Sequence, residues 1–314
     1  MLVELSHGSS DWEIMRKKIF YNFAIIGLGM VGTAIGHLLK EAGHEIVAIS
    51  DKSVKSLNNA LRYTGGKTYL SQRKSIANAD CILITTPDDF ILTVCEEISH
   101  SEAIAGKFVF HMSGAGSLDL LEPAKKAGAF IASIHPVQSF SSIANAIQSI
   151  PGSVFGITAE KKAEKQAKEI VVDLGGIPFF ISPRQKPLYH AAACLASNYL
   201  VALLYSVELI YQSVGINESN ARRAYLPLVY GTLKNIEKSG SIQALTGPIA
   251  RGDSGTVQKH IAAIKETLPH FLPLYSTLGL ITNNIAQKKG TLNSQQAKII
   301  NKFLKGAIDH EHSK

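Results

Sequence analysis

Cysteine is scarce in this sequence: 314 residues contain only three, together with a single tryptophan. Cys81, Cys95 and Cys194 form no C-x-x-C pair, and an odd number of cysteines indicates a reducing compartment without a disulfide framework. Cys81 and Cys95 fall inside a strand pattern and a helix pattern, so we expect both to be buried packing residues.

Uninterrupted apolar runs are short as well. None reaches the roughly 18 residues needed to cross a bilayer, so we expect no membrane span. The segment MLVELSHGSSDWEIMRKK carries its acids early and its basic residues late, which is the wrong order for a signal peptide. We interpret it as an extension that ends at Lys18, and we expect a cytoplasmic protein.

Blocks of basic residues interleaved with aromatics are also missing. The net charge is +7, but the lysines are scattered. This distribution argues against nucleic acid as a partner and favours an anionic cofactor or small-molecule substrate.

A glycine motif of the dinucleotide-binding type lies near the start of the chain. The apolar run from Phe23 to Ile26 predicts a strand, and a helix pattern and a second strand follow within about 30 residues. Gly27 would form the tight turn, Gly29 would admit a pyrophosphate, and Gly32 would let the helix pack on the strand. The predicted cofactor loop is Gly27, Leu28, Gly29, Met30, Val31 and Gly32.

The choice of cofactor depends on the end of the second strand. Asp51 is placed to hold the ribose hydroxyls of NAD, as an acid after this strand commonly does. Lys52 and Ser53 would instead suit a 2′-phosphate, and Asp-Lys-Ser is similar to the Asn-Arg-Ser of NADP-using relatives. We predict NADP, with NAD as the alternative.

Further apolar strands alternate with helices up to residue 182, which predicts a buried, mostly parallel sheet. The fold class is therefore α/β, a Rossmann dinucleotide-binding domain over residues 19–182. Ligands bind beyond the carboxyl ends of such strands. The residues at those ends are Thr86 and Pro87, which we assign to the cofactor, and Ser113 and His135, which we assign to the substrate.

Residues 183–314 show helical patterns without strand alternation and predict an all-α second domain for substrate binding and dimerisation. One long helix is predicted from Leu188 to Ser213. His190, Cys194 and Asn198 recur every four residues along it, which would place them on one stripe. Two ligands and a carboxamide are too few for zinc, so we predict no metal. The stripe is either buried packing with satisfied polar groups or a catalytic face.

A loop in the second domain, Thr246 to Asp253, supplies further candidates. Arg251 could bind a substrate carboxylate through two parallel hydrogen bonds, or pair locally with Asp253. Asp253 could equally cap the following helix. We assign Thr246, Arg251 and Asp253 to the substrate.

A Rossmann domain followed by a long helix with spaced polar residues resembles the superfamily of 6-phosphogluconate, 3-hydroxyisobutyrate and ketopantoate dehydrogenases or reductases. In that superfamily a lysine and one or two asparagines lie at four-residue steps on the helix. The resemblance implies that His190 occupies the lysine step and Asn198 the last asparagine step, and that Lys186 could supply the missing ammonium. The catalytic candidates are His190, Asn198 and Lys186.

A closer resemblance rests on three strings: HPVQSF from His135, YHAAA from Tyr189, and ALTGPIARGD from Ala244. These are similar to bacterial Rossmann-like proteins with a helical C-terminal domain of unknown function, a family that includes an alternative ketopantoate reductase. The resemblance implies an NADP-dependent reductase of a small carboxylated carbonyl compound, with ketopantoate as the best substrate, and a homodimer.

Two alternatives stay open at this point. One is an imine reductase of the pyrroline-carboxylate type or a prephenate-type dehydrogenase that uses a histidine. The other is a regulatory protein that binds NADP(H) without turnover and needs no polar stripe.

Overall fold

The structure, a computed structural model, describes residues 19–309. The predicted extension up to Lys18 lies outside the described residues. The chain divides into two compact units, the first ending at Ser197 and the second beginning at Asn198. The sequence analysis placed this boundary earlier, at residue 183.

The first unit is built around an eight-stranded sheet flanked by helices. Its strands are β1 (Asn22–Ile26), β2 (Glu45–Ser50), β3 (Lys67–Tyr69), β4 (Cys81–Ile84), β5 (Phe108–His111), β6 (Phe130–Pro136), β7 (Val154–Ala159) and β8 (Ile177–Phe180). Its helices are α1 (Met30–Glu41), α2 (Val54–Thr64), α3 (Gln72–Ser75), α4 (Asp88–Ser99), α5 (Glu122–Lys126), α6 (Ile143–Ser149), α7 (Glu164–Asp173) and α8 (Lys186–Ala196). Short 3₁₀ turns cover Glu102–Ile104, Leu118–Leu121 and Pro183–Gln185.

The strands follow the order β3-β2-β1-β4-β5-β6-β7-β8. Every neighbouring pair is parallel except β6 and β7, which are antiparallel. The chain winds outward from β1 in one direction and from β4 in the other. Ligands of such sheets bind at this reversal, beyond the carboxyl ends of the strands.

The continuous apolar runs are explained by helices on both faces of the sheet. In β1, Phe23 and Ile25 pack into one core cluster while Ala24 and Ile26 pack into the cluster on the opposite face. A strand buried on both sides needs apolar residues at every position, which removes the polar alternation of a half-exposed strand. The predicted α/β fold class is confirmed.

The two cysteines assigned to packing are fully buried, Cys81 in β4 and Cys95 in α4. Burial raises the pKa of both thiols. Both therefore remain protonated fillers of the core, as predicted.

The second unit contains helices only among its described residues, 198–309. These are α9 (Asn198–Ser213), α10 (Glu218–Ala244), α11 (Ser254–Thr267), α12 (Leu272–Lys289) and α13 (Ser294–Asp309), with 3₁₀ turns at Ile249–Arg251 and Pro269–Phe271. Its core consists of Ile249, Val257, Ala286, Leu292, Ala297, Ile300 and Leu304. Asn217 caps α10 by accepting a hydrogen bond from the Asn220 N–H at 3.0 Å, as its side-chain type predicts.

The long helix predicted from Leu188 to Ser213 is two helices. Helix α8 ends at Ala196, Ser197 adopts φ −116° and ψ −75°, and α9 begins at Asn198. The spacing of His190, Cys194 and Asn198 therefore does not place the three on one continuous helix. The alanine-rich sequence carries no glycine or proline to mark the break.

The sequence analysis also missed β3. This edge strand has three residues, and its Lys67 and Thr68 are exposed. It lacks an apolar run because one of its edges pairs with β2 while the other faces solvent.

One helical stretch is a candidate membrane span by mean hydropathy, although no uninterrupted apolar run within it reaches 18 residues. Residues Pro183–Ser213 include a window of mean hydropathy 1.6 that is long and apolar enough by length and composition alone, and none of that window is buried. Alanines, leucines and valines raise the mean hydropathy of this window around isolated polar residues. A single such helix is weak evidence for a membrane location.

Candidate functional site

A cavity of about 730 Å³ opens in the first unit at the carboxyl ends of the central strands. Its wall is formed by the loop after β1, the end of β2, the start of α4, the loop after β5, the end of β6 and one turn of α8. The predicted residues that line it are Gly27, Leu28, Gly29, Met30, Val31, Asp51, Lys52, Thr86, Pro87, Ser113, His135 and His190.

The three glycines of the loop meet three different steric demands. Gly27 has φ +96°, which side-chain-bearing residues rarely adopt. At Gly32, a Cβ would collide with the Gly27 carbonyl oxygen and the Thr85 Oγ1. At Gly29, by contrast, a Cβ would meet no protein atom within 4 Å, so this backbone is open to a ligand. The arrangement matches the roles predicted from the motif.

Asp51 anchors this loop to the end of β2. Its Oδ2 accepts a hydrogen bond from the Leu28 N–H and its Oδ1 from the Ser53 N–H, both at 2.8 Å. Each carboxylate oxygen keeps a further lone pair for ribose hydroxyls.

The side chain of Ser53 caps α2, because its Oγ accepts from the Ser56 N–H at 3.2 Å. The side chain of Lys52, by contrast, lines the cavity and lies close to an aromatic ring. Its Nζ lies 5.7 Å from the ring centre of Phe90, which is 51% exposed and also lines the cavity. A cation and an aromatic face together suit a planar, anionic ligand such as a nucleotide.

The ends of β4 and β5 are joined by a hydrogen bond between side chains. Ser113 Oγ donates to Asp88 Oδ2 at 2.6 Å and accepts from the Gly116 N–H at 2.7 Å. Thr86 Oγ1, beside them, is buried without a hydrogen-bond partner among the described residues. Such a hydroxyl indicates a group that accepts or donates once a ligand is present.

Lys186 does not line the cavity, and its ammonium lies between the loop after β5 and strand β6. The residue is 1% exposed, and its Nζ donates to the Ser113 carbonyl oxygen at 2.9 Å and to Ser133 Oγ at 2.6 Å. Burial lowers the pKa of the Lys186 ammonium to about 8, although the Asp88 carboxylate acts in the opposite direction. Lys186 thus holds the ends of β5 and β6 together.

Two imidazoles form the far wall of the cavity. The rings of His135 and His190 meet edge to face with their centres 5.5 Å apart. Both rings pack on Gly114, where any Cβ would collide with them. Burial, reinforced by the positive charge of Lys186, lowers the pKa of His135 to about 4.

The surroundings of His190 are only partly polar. Its Nε2 lies 3.5 Å from Cys194 Sγ, so the four-residue spacing within α8 does bring these two side chains together. Its Nδ1 is buried without a hydrogen-bond partner among the described residues.

The remaining predicted site residues belong to the second unit. Asn198 is the first residue of α9, and Thr246 and Arg251 are exposed. Asp253 caps α11, since its Oδ1 accepts from the Thr256 N–H at 2.9 Å and its Oδ2 from the Thr256 hydroxyl at 2.7 Å. These hydrogen bonds lower the pKa of Asp253.

Several residues in or beside the cavity were missed by the sequence analysis, among them Asp88, Gly114, Tyr189 and Phe90. Asp88 begins α4 directly after a strand end, a position that could have been recognised from the Thr86-Pro87 breaker. Gly114 and Tyr189 are the sequence neighbours of two predicted site residues, Ser113 and His190. Phe90 carries no sequence signal, because an exposed aromatic on a helix is common on protein surfaces. Within residues 19–309, no group of three or more His, Cys, Asp or Glu residues is arranged to hold a metal ion.

Two family profiles match the sequence. Residues 8–136 match a Rossmann-like domain, and residues 153–282 match a domain of unknown function, DUF2520. No curated protein matches significantly.

Solved structures show the same fold. The Thermotoga maritima protein TM1727 is 26% identical, with TM-score 0.69 over 85% of this chain and 99% of that one. A reductive aminase from Aspergillus terreus, in complex with NADPH and ethyl levulinate, is 18% identical, with TM-score 0.60 over 91% and 100%. A pyrroline-5-carboxylate reductase from Coxiella burnetii is 16% identical, with TM-score 0.54 over 93% and 98%.

Proposed function

We propose that the protein is an NADP-dependent oxidoreductase that reduces a small carboxylated carbonyl compound, with 2-dehydropantoate (ketopantoate) as the best single substrate. The observation that carries the proposal is one continuous cavity that extends from the glycine loop, at Gly29, to the imidazoles of His135 and His190. A dinucleotide bound at the loop would direct its other end toward groups that can polarise and protonate a substrate.

The cofactor pocket suits phosphates at one end and a nucleoside at the other. The open backbone at Gly29 precedes the N-terminus of α1, whose N–H groups and dipole favour a pyrophosphate. Lys52 and Phe90 would hold the adenosine half. Lys52 and the NADPH complex of the similar reductive aminase favour NADP. NAD is the alternative because Asp51 can accept from ribose hydroxyls.

When bound, the dihydronicotinamide supplies the hydride, so the chain must orient the substrate and provide a proton. Of the two proton-donor candidates, His190 lines the cavity, whereas the Lys186 ammonium is enclosed by two oxygen acceptors. We propose that His190 donates the proton. We propose that Lys186 holds Ser113 in place, and that Ser113 contacts the substrate.

For the predicted substrate residues of the second unit, we propose the roles that their side chains suggest. Asn198 would orient the substrate through its carboxamide, and Arg251 would bind the carboxylate. Thr246 belongs to the same loop. The hydrogen bonds of Asp253 support a helix cap more strongly than a substrate contact.

Imine reduction is a second candidate, because two of the similar folds are a reductive aminase and a pyrroline-5-carboxylate reductase. A prephenate-type dehydrogenase is a related alternative. A regulatory protein that binds NADP(H) without turnover would keep the glycine loop and need no imidazole wall.

Cofactor binding is tested first, by thermal unfolding with increasing NADPH and NADH. A ligand at one hundred times its dissociation constant stabilises the native state by about 2.7 kcal/mol, so the midpoint should rise with NADPH and less with NADH. No rise with either cofactor would refute the proposal.

Turnover is tested by NADPH oxidation with 2-oxo acids, cyclic imines and prephenate. We expect ketopantoate to be reduced and His190→Ala to lose about 100-fold or more in kcat, as removal of a general acid does. Undiminished activity in His190→Ala would remove the assignment, and tight NADPH binding without turnover would favour the regulatory alternative.

A further inference from the structure

Among the residues that the structure describes, the imidazole of His135 has a hydrogen-bond partner at one ring nitrogen. His135 belongs to β6, and its Nδ1 lies 3.3 Å from the Tyr189 hydroxyl. The two rings meet edge to face with their centres 5.7 Å apart. The strand and the tyrosine together fix both the position and the orientation of this imidazole.

The surroundings of Tyr189 determine which of the two groups donates. Gly156 pairs with His135 across β6 and β7, and any Cβ at Gly156 would collide with the phenol. Burial raises the pKa of the Tyr189 phenol, so its hydroxyl keeps its proton. A phenol is a stronger donor than acceptor, because its oxygen lone pairs are delocalised into the ring, whereas an unprotonated imidazole nitrogen is a strong acceptor. The Tyr189 hydroxyl therefore donates to His135 Nδ1.

The other nitrogen of this ring remains available to a ligand. His135 Nε2 has no hydrogen-bond partner among the described residues of the first unit, and His135 lines the cavity. His190 differs, because among the described residues no hydroxyl group holds either of its nitrogens in one protonation state: its Nε2 contacts Cys194 and its Nδ1 has no hydrogen-bond partner. Since the hydroxyl of Tyr189 donates to Nδ1, the neutral ring of His135 carries its proton on Nε2.

We infer that His135 donates its Nε2–H to the reacting oxygen of a ketone or aldehyde, and that Tyr189 is the positioning residue that keeps the proton on that nitrogen. A carbonyl oxygen has two lone pairs and accepts such a bond, which strengthens as negative charge develops. A protonated imine carries an N–H of its own and would oppose the donor. The inference therefore separates carbonyl from imine substrates, and this half of it rests on the proposed function.

The electron balance follows from the same arrangement. The carbonyl carbon accepts a hydride from the dihydronicotinamide, and the π pair of the C=O bond moves to the oxygen. The oxygen then takes a proton from His190, which regains one from solvent. The products are an alcohol and the oxidised nicotinamide, and His135 keeps its proton throughout.

The tautomer can be measured without any substrate, by long-range ¹H–¹⁵N spectra of full-length protein labelled in its histidines. The His135 signals are assigned by their loss in His135→Gln. We expect a neutral ring protonated on Nε2 from pH 8 to pH 5. Burial disfavours the charged ring, as do the ammonium of Lys186 and the imidazoles of His190 and His111, while the Asp88 carboxylate favours it.

Tyr189→Phe should remove the preference of His135 for the Nε2–H tautomer, so that its spectrum shows exchange between the Nδ1–H and Nε2–H forms. Tyr63→Phe is the matched control, because the Tyr63 hydroxyl has no hydrogen bond among the described residues, and it should leave the spectrum unchanged. A wild-type ring protonated on Nδ1, or charged at pH 6, would overturn the inference even if the protein reduces carbonyls.

Kinetic measurements test the part of the inference that concerns carbonyl and imine substrates. His135→Leu should lower kcat for a 2-oxo acid by about 100-fold or more, the usual effect of losing a preorganised donor. His135→Gln, which retains an N–H donor, should recover activity to within about tenfold of wild type, and Tyr189→Phe should lose about tenfold. An imine turned over more than tenfold faster than any carbonyl, with His135→Leu unaffected, would overturn it. Absence of NADPH binding would instead refute the proposed function and leave the tautomer result standing.

Discussion

At the scale of single residues, glycine provides the clearest separation of structural from functional roles. Gly29 and Gly32 belong to the same motif, yet the space around their missing side chains differs completely. The protein fills that space at Gly32 and leaves it open at Gly29. The motif predicts helix packing at Gly32 and access for a pyrophosphate at Gly29, and the space around the two positions differs in the same sense.

This difference predicts opposite outcomes for two matched substitutions. Gly32→Ala should destabilise the protein by about 1–3 kcal/mol through overpacking against backbone. Gly29→Ala should leave the free energy of unfolding within about 0.5 kcal/mol of wild type, because a surface substitution without steric conflict costs little. It should nevertheless weaken NADPH binding at least tenfold. Urea denaturation and titration calorimetry measure the two effects, and equal destabilisation by both would contradict the argument.

A second prediction at this scale concerns acid stability. His111 is fully buried: its Nδ1 accepts from the Ser113 N–H, and its Nε2 donates to the Ser117 carbonyl oxygen. Burial lowers the pKa of His111 to about 4, against about 6.5 for an unfolded chain. Between these values the unfolded state binds more protons, so stability must fall as pH decreases from 6.5 to 4, by up to about 3 kcal/mol.

Urea denaturation at steps from pH 7.5 to pH 4.5 checks this. His111→Gln should be less stable at pH 7.5 but should lose stability less steeply below pH 6.5. An identical pH slope in the variant and the wild type would show that another group controls acid unfolding.

At the scale of elements, helix caps can be predicted from the sequence more easily than helix breaks. Asn217 and Asp253 are residue types that favour N-caps, and both accept the expected backbone hydrogen bonds. The break at Ser197 was not predicted, because neither glycine nor proline marks it and Ser197-Asn198 disfavour a helix only weakly. A helix start has a local chemical signature, whereas a break without glycine or proline is imposed by packing.

The cap of α10 gives the prediction at this scale. Asn217→Ala should cost about 1 kcal/mol in the free energy of unfolding, because the Asn220 N–H loses its acceptor. Asn217→Asp should retain the stability, since a carboxylate accepts the same hydrogen bond and favours the helix dipole. Chemical denaturation of the three proteins measures this, and equal losses in both variants would contradict the capping role.

At the scale of the whole molecule, the exposed apolar surface is the feature that one chain does not explain. Within the second unit, two helices expose large apolar side chains: Tyr199, Val201 and Tyr205 on α9, and Leu228, Tyr230 and Leu233 on α10. Apolar surface of this extent marks an interaction site more often than free surface. It supports our expectation of a homodimer.

Light scattering tests this expectation. Wild type should have twice the mass of one chain, and Val201→Glu combined with Leu228→Glu should yield monomers, because charges would be buried without partners. Leu70→Glu, in the first unit at a side chain that is 62% exposed, is the control and should remain dimeric. A monomeric wild type would contradict the expected homodimer.

The sequence by itself determined the α/β class, the glycine loop and the strand ends at Thr86, Ser113 and His135. These features depend on local chemistry, namely backbone freedom at glycine and apolar runs that only a doubly covered sheet can bury. Only the tertiary structure decided that Lys186 is buried outside the cavity lining, that Asp88 lines the cavity, and that the Tyr189 hydroxyl lies against His135 Nδ1. Those facts arise from contacts between residues far apart in the chain, and no spacing along the sequence encodes them.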